Sequence, residues 1–119
     1  MASGKILVVD DDPQITLLVQ LVLRRAGYNV CTANSGREAL RRALDDPPDL
    51  VLLDVFMPDM GGEQVLREML LHPQLRKVAV VLATGDVDAE PAMRGCSLLT
   101  KPFNLRELYT TVREALTPA

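Results

Sequence analysis

Three aspartates in a row, Asp10, Asp11 and Asp12, follow directly on the apolar run Leu7-Val8-Val9 and precede Pro13. A fourth, Asp54, closes a second apolar run, Leu50-Val51-Leu52-Leu53. Carboxylates crowded at the ends of buried segments raise one another's pKa and are costly to keep charged without a partner. The donors on offer are hard oxygens, with no His or Cys close in sequence, so a divalent cation suits them: Mg2+ first, Mn2+ as a substitute. Thr84, after Val81-Leu82-Ala83, and Lys101, after Leu98-Leu99-Thr100, close two further runs. A carboxylate nucleophile, a metal, a hydroxyl and an ammonium around one point suit phosphoryl transfer. The cations balance charge on the phosphoryl oxygens, the hydroxyl donates a hydrogen bond, and carboxylates are covalent phosphate acceptors in enzymes. Taken singly, each residue has a plainer use. An Asp at a strand end caps a turn or helix, and Asp12 before Pro13 is the one best placed simply to start a helix.

The chemistry therefore depends on whether these run ends meet. Short apolar runs alternate with helical patterns along the chain. Ile6–Val9, Leu50–Leu53 and Val78–Leu82 are continuous and β-branched or leucine-rich, as expected of parallel strands covered on both faces. Tyr28–Ala33 and Ser97–Thr100 are weaker and read as edge strands. A first helix starts at Pro13 and runs to Ala26, with Gly27 as its C-terminal cap. A second starts at Asn34 or Ser35 and ends near Asp45, before Pro47-Pro48. A third covers about Gly62 to Leu71, and the last follows Asn104 to about Leu116. The resulting βαβαβαβαβα order predicts an α/β, flavodoxin-like (βα)5 doubly wound parallel sheet with strand order 2-1-3-4-5. In such a sheet the ligand site lies at the carboxyl ends of strands one and three, where Asp10, Asp11 and Asp54 would converge.

Composition narrows the classes. A chain of 119 residues with 48% apolar content fits one domain, here residues 1–119, with its own core. A net charge of -3 offers no basic footprint for nucleic acid or an anionic membrane. Cys31 and Cys96 lack metal-knuckle spacing and read as reduced core thiols. The opening MASGK leads straight into a strand, without a signal-peptide core, and the longest apolar runs are too short to span a bilayer. A cytoplasmic location is the expectation.

The motifs Val9-Asp10-Asp11, Asp54-Val55-Phe56-Met57-Pro58, Ala83-Thr84-Gly85 and Lys101-Pro102-Phe103, in this order, resemble the receiver domain of two-component response regulators. The resemblance runs from Lys5 to Leu116. It implies a phosphoryl-accepting switch in which Asp54 takes a phosphoryl group from a phosphohistidine on a histidine kinase or phosphotransfer protein. It also implies that Asp11 binds Mg2+ directly, that Asp10 does so largely through water, and that the backbone carbonyl of Phe56 completes the set with Asp54. Lys101 would contact the acyl phosphate, across a cis bond to Pro102, and Thr84 would swing toward the phosphoryl group and change the shape of the domain. Catalysis would be limited to self-phosphorylation and self-dephosphorylation.

Two places depart from the family pattern. Only 16 residues separate Thr84 from Lys101, so the helix between the fourth and fifth strands is expected to be short or irregular, at most Ala89–Arg94. Leu98 stands where many receivers carry Tyr or Phe, which either alters the usual output face or reflects simple packing. Phe56 and Asp86 flank the site two residues after Asp54 and Thr84, and a phenylalanine offers water no polar handle, so slow loss of the phosphoryl group is expected.

On the first helix, Ile15, Leu18, Val22 and Ala26 form the expected core stripe, leaving Leu17 and Leu21 more exposed. The resemblance makes these two a docking face for the kinase or phosphotransfer protein, while scattered surface leucines are also ordinary. The chain ends just after the last helix, so no output domain is expected. A stand-alone regulator, a phosphorelay carrier and a receiver excised from a hybrid kinase all remain open, with an unknown output partner. The alternatives are a degenerate receiver acting only as an interaction module, or a Mg2+-dependent phosphohydrolase.

Overall fold

The continuous apolar runs become five parallel strands in the computed structural model, which describes residues 4–85 and 96–117. The strands are β1 (Lys5–Val9), β2 (Asn29–Ala33), β3 (Leu50–Asp54), β4 (Ala79–Thr84) and β5 (Ser97–Thr100). Their order is β2-β1-β3-β4-β5, as the alternation of elements predicts. Among the described residues the helices are α1 (Pro13–Arg25), α2 (Gly36–Asp45), α3 (Gly62–Leu70) and α4 (Leu105–Leu116), with a 3-10 turn at Pro73–Leu75. The expected short helix at Ala89–Arg94, and Asp86, lie outside the described residues.

Burial on both faces explains why the strands lack polar alternation. Ile6, Val8, Leu50, Leu52, Val81 and Leu99 point to one face, where Val19 and Leu23 of α1 and Leu108 and Val112 of α4 cover them. Leu7, Val9, Val51, Leu53 and Leu82 point to the other, under Ala39 and Ala43 of α2 and Val65 and Met69 of α3. All five residues of β3 are buried, so it is the central strand, and truncating a fully buried leucine such as Leu53 to Ala costs about 2–5 kcal/mol.

Helix starts are set by side chains that satisfy the free N–H groups of the first turn. Asp12 accepts from the Gln14 N–H at 2.9 Å, Ser35 from Glu38 at 3.1 Å, and Asn104 from Glu107 at 2.8 Å. Ser35 rather than Asn34 is thus the cap of α2. Gly27, just past α1, has φ +105°, a conformation that favours glycine.

One expectation is corrected. The core face of α1 is Thr16, Val19 and Leu23, whereas Leu18 is 56% exposed and Ile15, Val22 and Ala26 only flank the core. The stripe is turned by one residue because Thr16 is a polar residue that can be buried. Its Oγ1 donates to the Pro13 carbonyl at 3.0 Å and accepts from Asn34 Nδ2 at 3.2 Å. Cys31 and Cys96 are free thiols. Cys31 lies in β2 and Cys96 immediately precedes β5, so they sit at opposite edges of the sheet, about four strand spacings of 4.8 Å apart, far beyond disulfide reach.

Candidate functional site

The carboxyl ends of the strands bring the expected residues to one edge. Asp10 follows β1 and Asp54 ends β3, and parallel pairing of these neighbours sets the two acids side by side. Both are buried, at 5% and 7% exposure. Asp11 is exposed on the rim, yet one carboxylate oxygen from each of Asp10, Asp11 and Asp54 lies within 4.8 Å of the others. Thr84 ends β4 and is fully buried, and its carbonyl accepts from the Lys101 N–H at 2.8 Å. The Lys101–Pro102 peptide bond is cis. From there the Lys101 ammonium donates to Asp10 Oδ2 at 3.1 Å and to Asp54 Oδ1 at 3.3 Å.

Electrostatics follow from this arrangement. Burial, and then the neighbouring Asp10 charge, push the Asp54 carboxyl above its usual value, with Lys101 and the Phe56 N–H opposing them. Burial pulls the Lys101 ammonium down, but its bonds to Asp10 and its attraction to Asp54 outweigh this and leave its pKa raised. Among the described residues, three carboxylates against one ammonium leave an excess of negative charge at this edge. Hard oxygen donors at this spacing fit a small dication such as Mg2+ or Mn2+. The edge thus brings two buried carboxylates, an exposed one, a buried hydroxyl and an ammonium around one point.

Asp12 stands apart from the acids as the cap of α1, its N–H donating to Asp10 Oδ1 at 3.0 Å. The Phe56 side chain is 65% exposed and lines an open cleft of about 330 Å3 with Asp11, Val55, Met57, Pro58 and Gly61. Leu98 packs, partly buried, with the core on the α2 and α3 face, opposite Leu82 in register. Leu17 and Leu21 lie outside the edge, exposed on α1, and Leu18 joins them. Beside them a groove of about 430 Å3 runs from Ile15, Leu18 and Val19 to Lys101, Pro102 and Phe103.

Asn34 contributes in a way that its reading as a possible cap missed. Its Nδ2 donates to the Asp10 carbonyl at 3.0 Å, while the Asp10 N–H donates to the Ala33 carbonyl at 3.2 Å. The signal was available in principle. Parallel pairing of Val9 with Ala33 carries the next residue of each strand to the same edge.

The comparisons with known proteins agree with this geometry. Residues 6–113 match the family model described as the response regulator receiver domain. The alkaline phosphatase synthesis transcriptional regulatory protein PhoP of Bacillus subtilis is 38% identical over 96% of this chain, which spans 49% of that relative's length. The sporulation initiation phosphotransferase F of the same organism is 34% identical over 98% of this chain and 96% of its own length. Among solved structures, the chemotaxis protein CheY4 of Vibrio cholerae superposes with a TM-score of 0.89 at 33% identity, covering 97% of this chain and 100% of that one. A receiver domain of a signal transduction histidine kinase from Syntrophus aciditrophicus gives 0.85 at 33% identity, covering 95% and 89%. The family match spans both the sheet and the acidic edge, and this chain belongs to the response regulator receiver domain family of two-component signalling.

Proposed function

We propose that this chain is a phosphoryl-accepting signalling switch whose acceptor is Asp54. One Asp54 carboxylate oxygen attacks the phosphorus of a phosphohistidine, and the phosphorus–nitrogen bond breaks. Its electron pair leaves on the imidazole, and an acyl phosphate forms on Asp54. The convergence of Asp10, Asp11 and Asp54 within 4.8 Å carries this reading. Asp11, Asp54 and the carbonyl of Phe56 would hold Mg2+, or Mn2+ in its place, with Asp10 acting largely through water. When bound, the metal offsets negative charge on the phosphoryl oxygens. Lys101 moves from the carboxylates to a phosphoryl oxygen, and the Thr84 hydroxyl donates to another. These new contacts bias a two-state equilibrium of the domain, which a partner reads.

Residues 1–119 act as a single receiver unit in the cytoplasm, catalysing only their own phosphorylation and dephosphorylation. The donor is a histidine kinase or phosphotransfer protein docked on the exposed leucines of α1, and neither nucleic acid nor membrane is a direct partner. Relatives occur both as nearly the whole of a phosphotransferase and as half of a transcriptional regulator, so stand-alone, relay and multidomain settings are all compatible with the domain. The test is incubation with Mg2+ and acetyl phosphate, read by intact mass beside Asp54→Asn. One phosphoryl adduct on the wild type alone is the expected result. No adduct with acetyl phosphate or with candidate kinases, despite Mg2+ binding, would favour a pure interaction module.

A further inference from the structure

We propose that Asp59 is a positioning residue for the metal site, clasping the first turn of α2 and so fixing the loop between β3 and α3 that carries Phe56. The proposal rests on the reading of Asp10, Asp11, Asp54 and the Phe56 carbonyl as a cation site.

Asp59 Oδ1 accepts from the Gly36 N–H and Oδ2 from the Arg37 N–H, each at 3.1 Å. These are the first two N–H groups of α2, which have no partner within the helix. Ser35 serves only the Glu38 N–H, so the remaining donors are met from a loop 22 and 23 residues away. By contrast α3, which this loop enters, starts at Gly61 without a side-chain cap. The bonds from Gly36 and Arg37 hold the Asp59 carboxyl below its usual range, as expected where a charged acceptor is preferred.

Packing supports the same contact independently. A Cβ on Gly36 would lie 2.8 Å from Met60 Cβ and 2.9 Å from Val65 Cγ2, so the start of α2 sits directly against the loop and α3. The loop's two ends are pinned elsewhere. The Val55 N–H donates to the Ala83 carbonyl at 3.2 Å, and the Gly62 N–H to the Val55 carbonyl at 2.8 Å. Between them Phe56 stands three residues before Asp59, with the restricted ring of Pro58 in the intervening stretch. A clasp at Asp59 therefore limits the positions open to the Phe56 carbonyl. Asp59 itself is exposed, so replacing it leaves the core intact.

Mg2+ affinity is measured by calorimetry on wild type, Asp59→Ala and Asp59→Asn, with amide hydrogen exchange in EDTA. Outer partners of metal ligands change affinity by 10–100-fold, and Asp59 acts through three backbone residues, so Asp59→Ala is expected to weaken Mg2+ by about 3–10-fold. Asp59→Asn keeps one acceptor and should fall between. Exchange should quicken at Gly36, Arg37, Phe56, Met57 and residues 59–61 without a change elsewhere. A simple loss of negative charge would also weaken a cation, but that effect shrinks when salt is raised to about 0.5 M, whereas a clasp persists. An unchanged Mg2+ affinity in Asp59→Ala, or a difference that vanishes in salt, overturns the clasp alone. Absence of Mg2+ binding by the wild type overturns the reading of the site, and the clasp with it.

Discussion

Lys101 Nζ lies 3.3 Å from Asp54 Oδ1, although their strands are not neighbours: β4 runs between β3 and β5. Two strand spacings are about 9.6 Å, so a long side chain laid across the end of β4 closes the gap. The same ammonium reaches Asp10 Oδ2 at 3.1 Å, making Lys101 the counter-ion of the two buried acids before any metal binds.

Removing that counter-ion is expected to have opposite effects on stability and on metal binding. In EDTA, Lys101→Ala should lose about 1–2 kcal/mol in urea unfolding, less than a fully buried pair because a third of the lysine side chain is exposed. Mg2+ should bind at least as tightly, since the ammonium no longer competes for Asp10 and Asp54. Labelling of Asp54 by acetyl phosphate should drop by about tenfold or more, for want of a cation on the phosphoryl oxygens. Labelling at the wild-type rate would remove Lys101 from the chemistry.

Asp54 gives stability a pH dependence in the metal-free protein. Burial and the Asp10 charge raise its pKa in the folded state. A carboxyl with a raised folded pKa binds its proton more tightly when folded. Its contribution is therefore best at low pH and declines as pH rises from the unfolded value, about 3.9, through the raised folded value. Asp54→Asn lacks this penalty. At pH 7 in EDTA the variant should melt at a higher temperature than wild type, and the gap should narrow as pH falls toward 4. Saturating Mg2+ should also narrow it, since the wild type has the full ligand set. A variant that melts below wild type in EDTA at pH 7 would contradict the repulsion between Asp10 and Asp54.

Strand order and the acidic edge were legible because both follow from short-range pattern. Leu50–Asp54 is buried throughout, while β2 and β5 mix exposed and buried residues as edges do. Once β1 and β3 are neighbours, the residues at their ends must meet. What was not legible depends on partners far away in the chain. Thr16 is buried in place of Leu18 because Asn34, 18 residues on, supplies its hydrogen bond. Asn34 and Asp59 look like ordinary loop residues until the crossovers place them beside Asp10 and α2.

Phe56 is expected to govern how water approaches Asp54. Its ring is exposed over the cleft that includes Asp11, and it has no polar atom to hold a water in line with the acyl phosphate. Phe56→Asn supplies an amide at the same place and removes bulk. The lifetime of the acyl phosphate, followed by loss of the phosphoryl adduct after donor removal, should shorten by about 3–10-fold, at the modest end of what a water-positioning group contributes. Folding should be unaffected, because the ring is outside the core. An equal or longer lifetime would assign the rate to other residues around the site.

Substituting the exposed leucines of α1 is expected to separate docking from chemistry. Leu17, Leu18 and Leu21 are all more than half exposed, and Leu18 lines the groove that ends at Lys101 and Phe103. An apolar face that opens onto the edge carrying Asp54 suits the helical donor protein proposed above, with its phosphohistidine at Asp54 and its flanks on α1. Surface positions of this kind contribute within about 0.5 kcal/mol to folding, so Leu17→Ser combined with Leu21→Gln should leave the melting temperature nearly unchanged. Acetyl phosphate is too small to use this face and should label the variant at the wild-type rate. Transfer from the phosphorylated cognate kinase should fall by about tenfold, equivalent to some 1.4 kcal/mol of lost contact. Equal loss with both donors would mean that the substitutions disturb the site itself, and unchanged transfer from the kinase would place docking on another face.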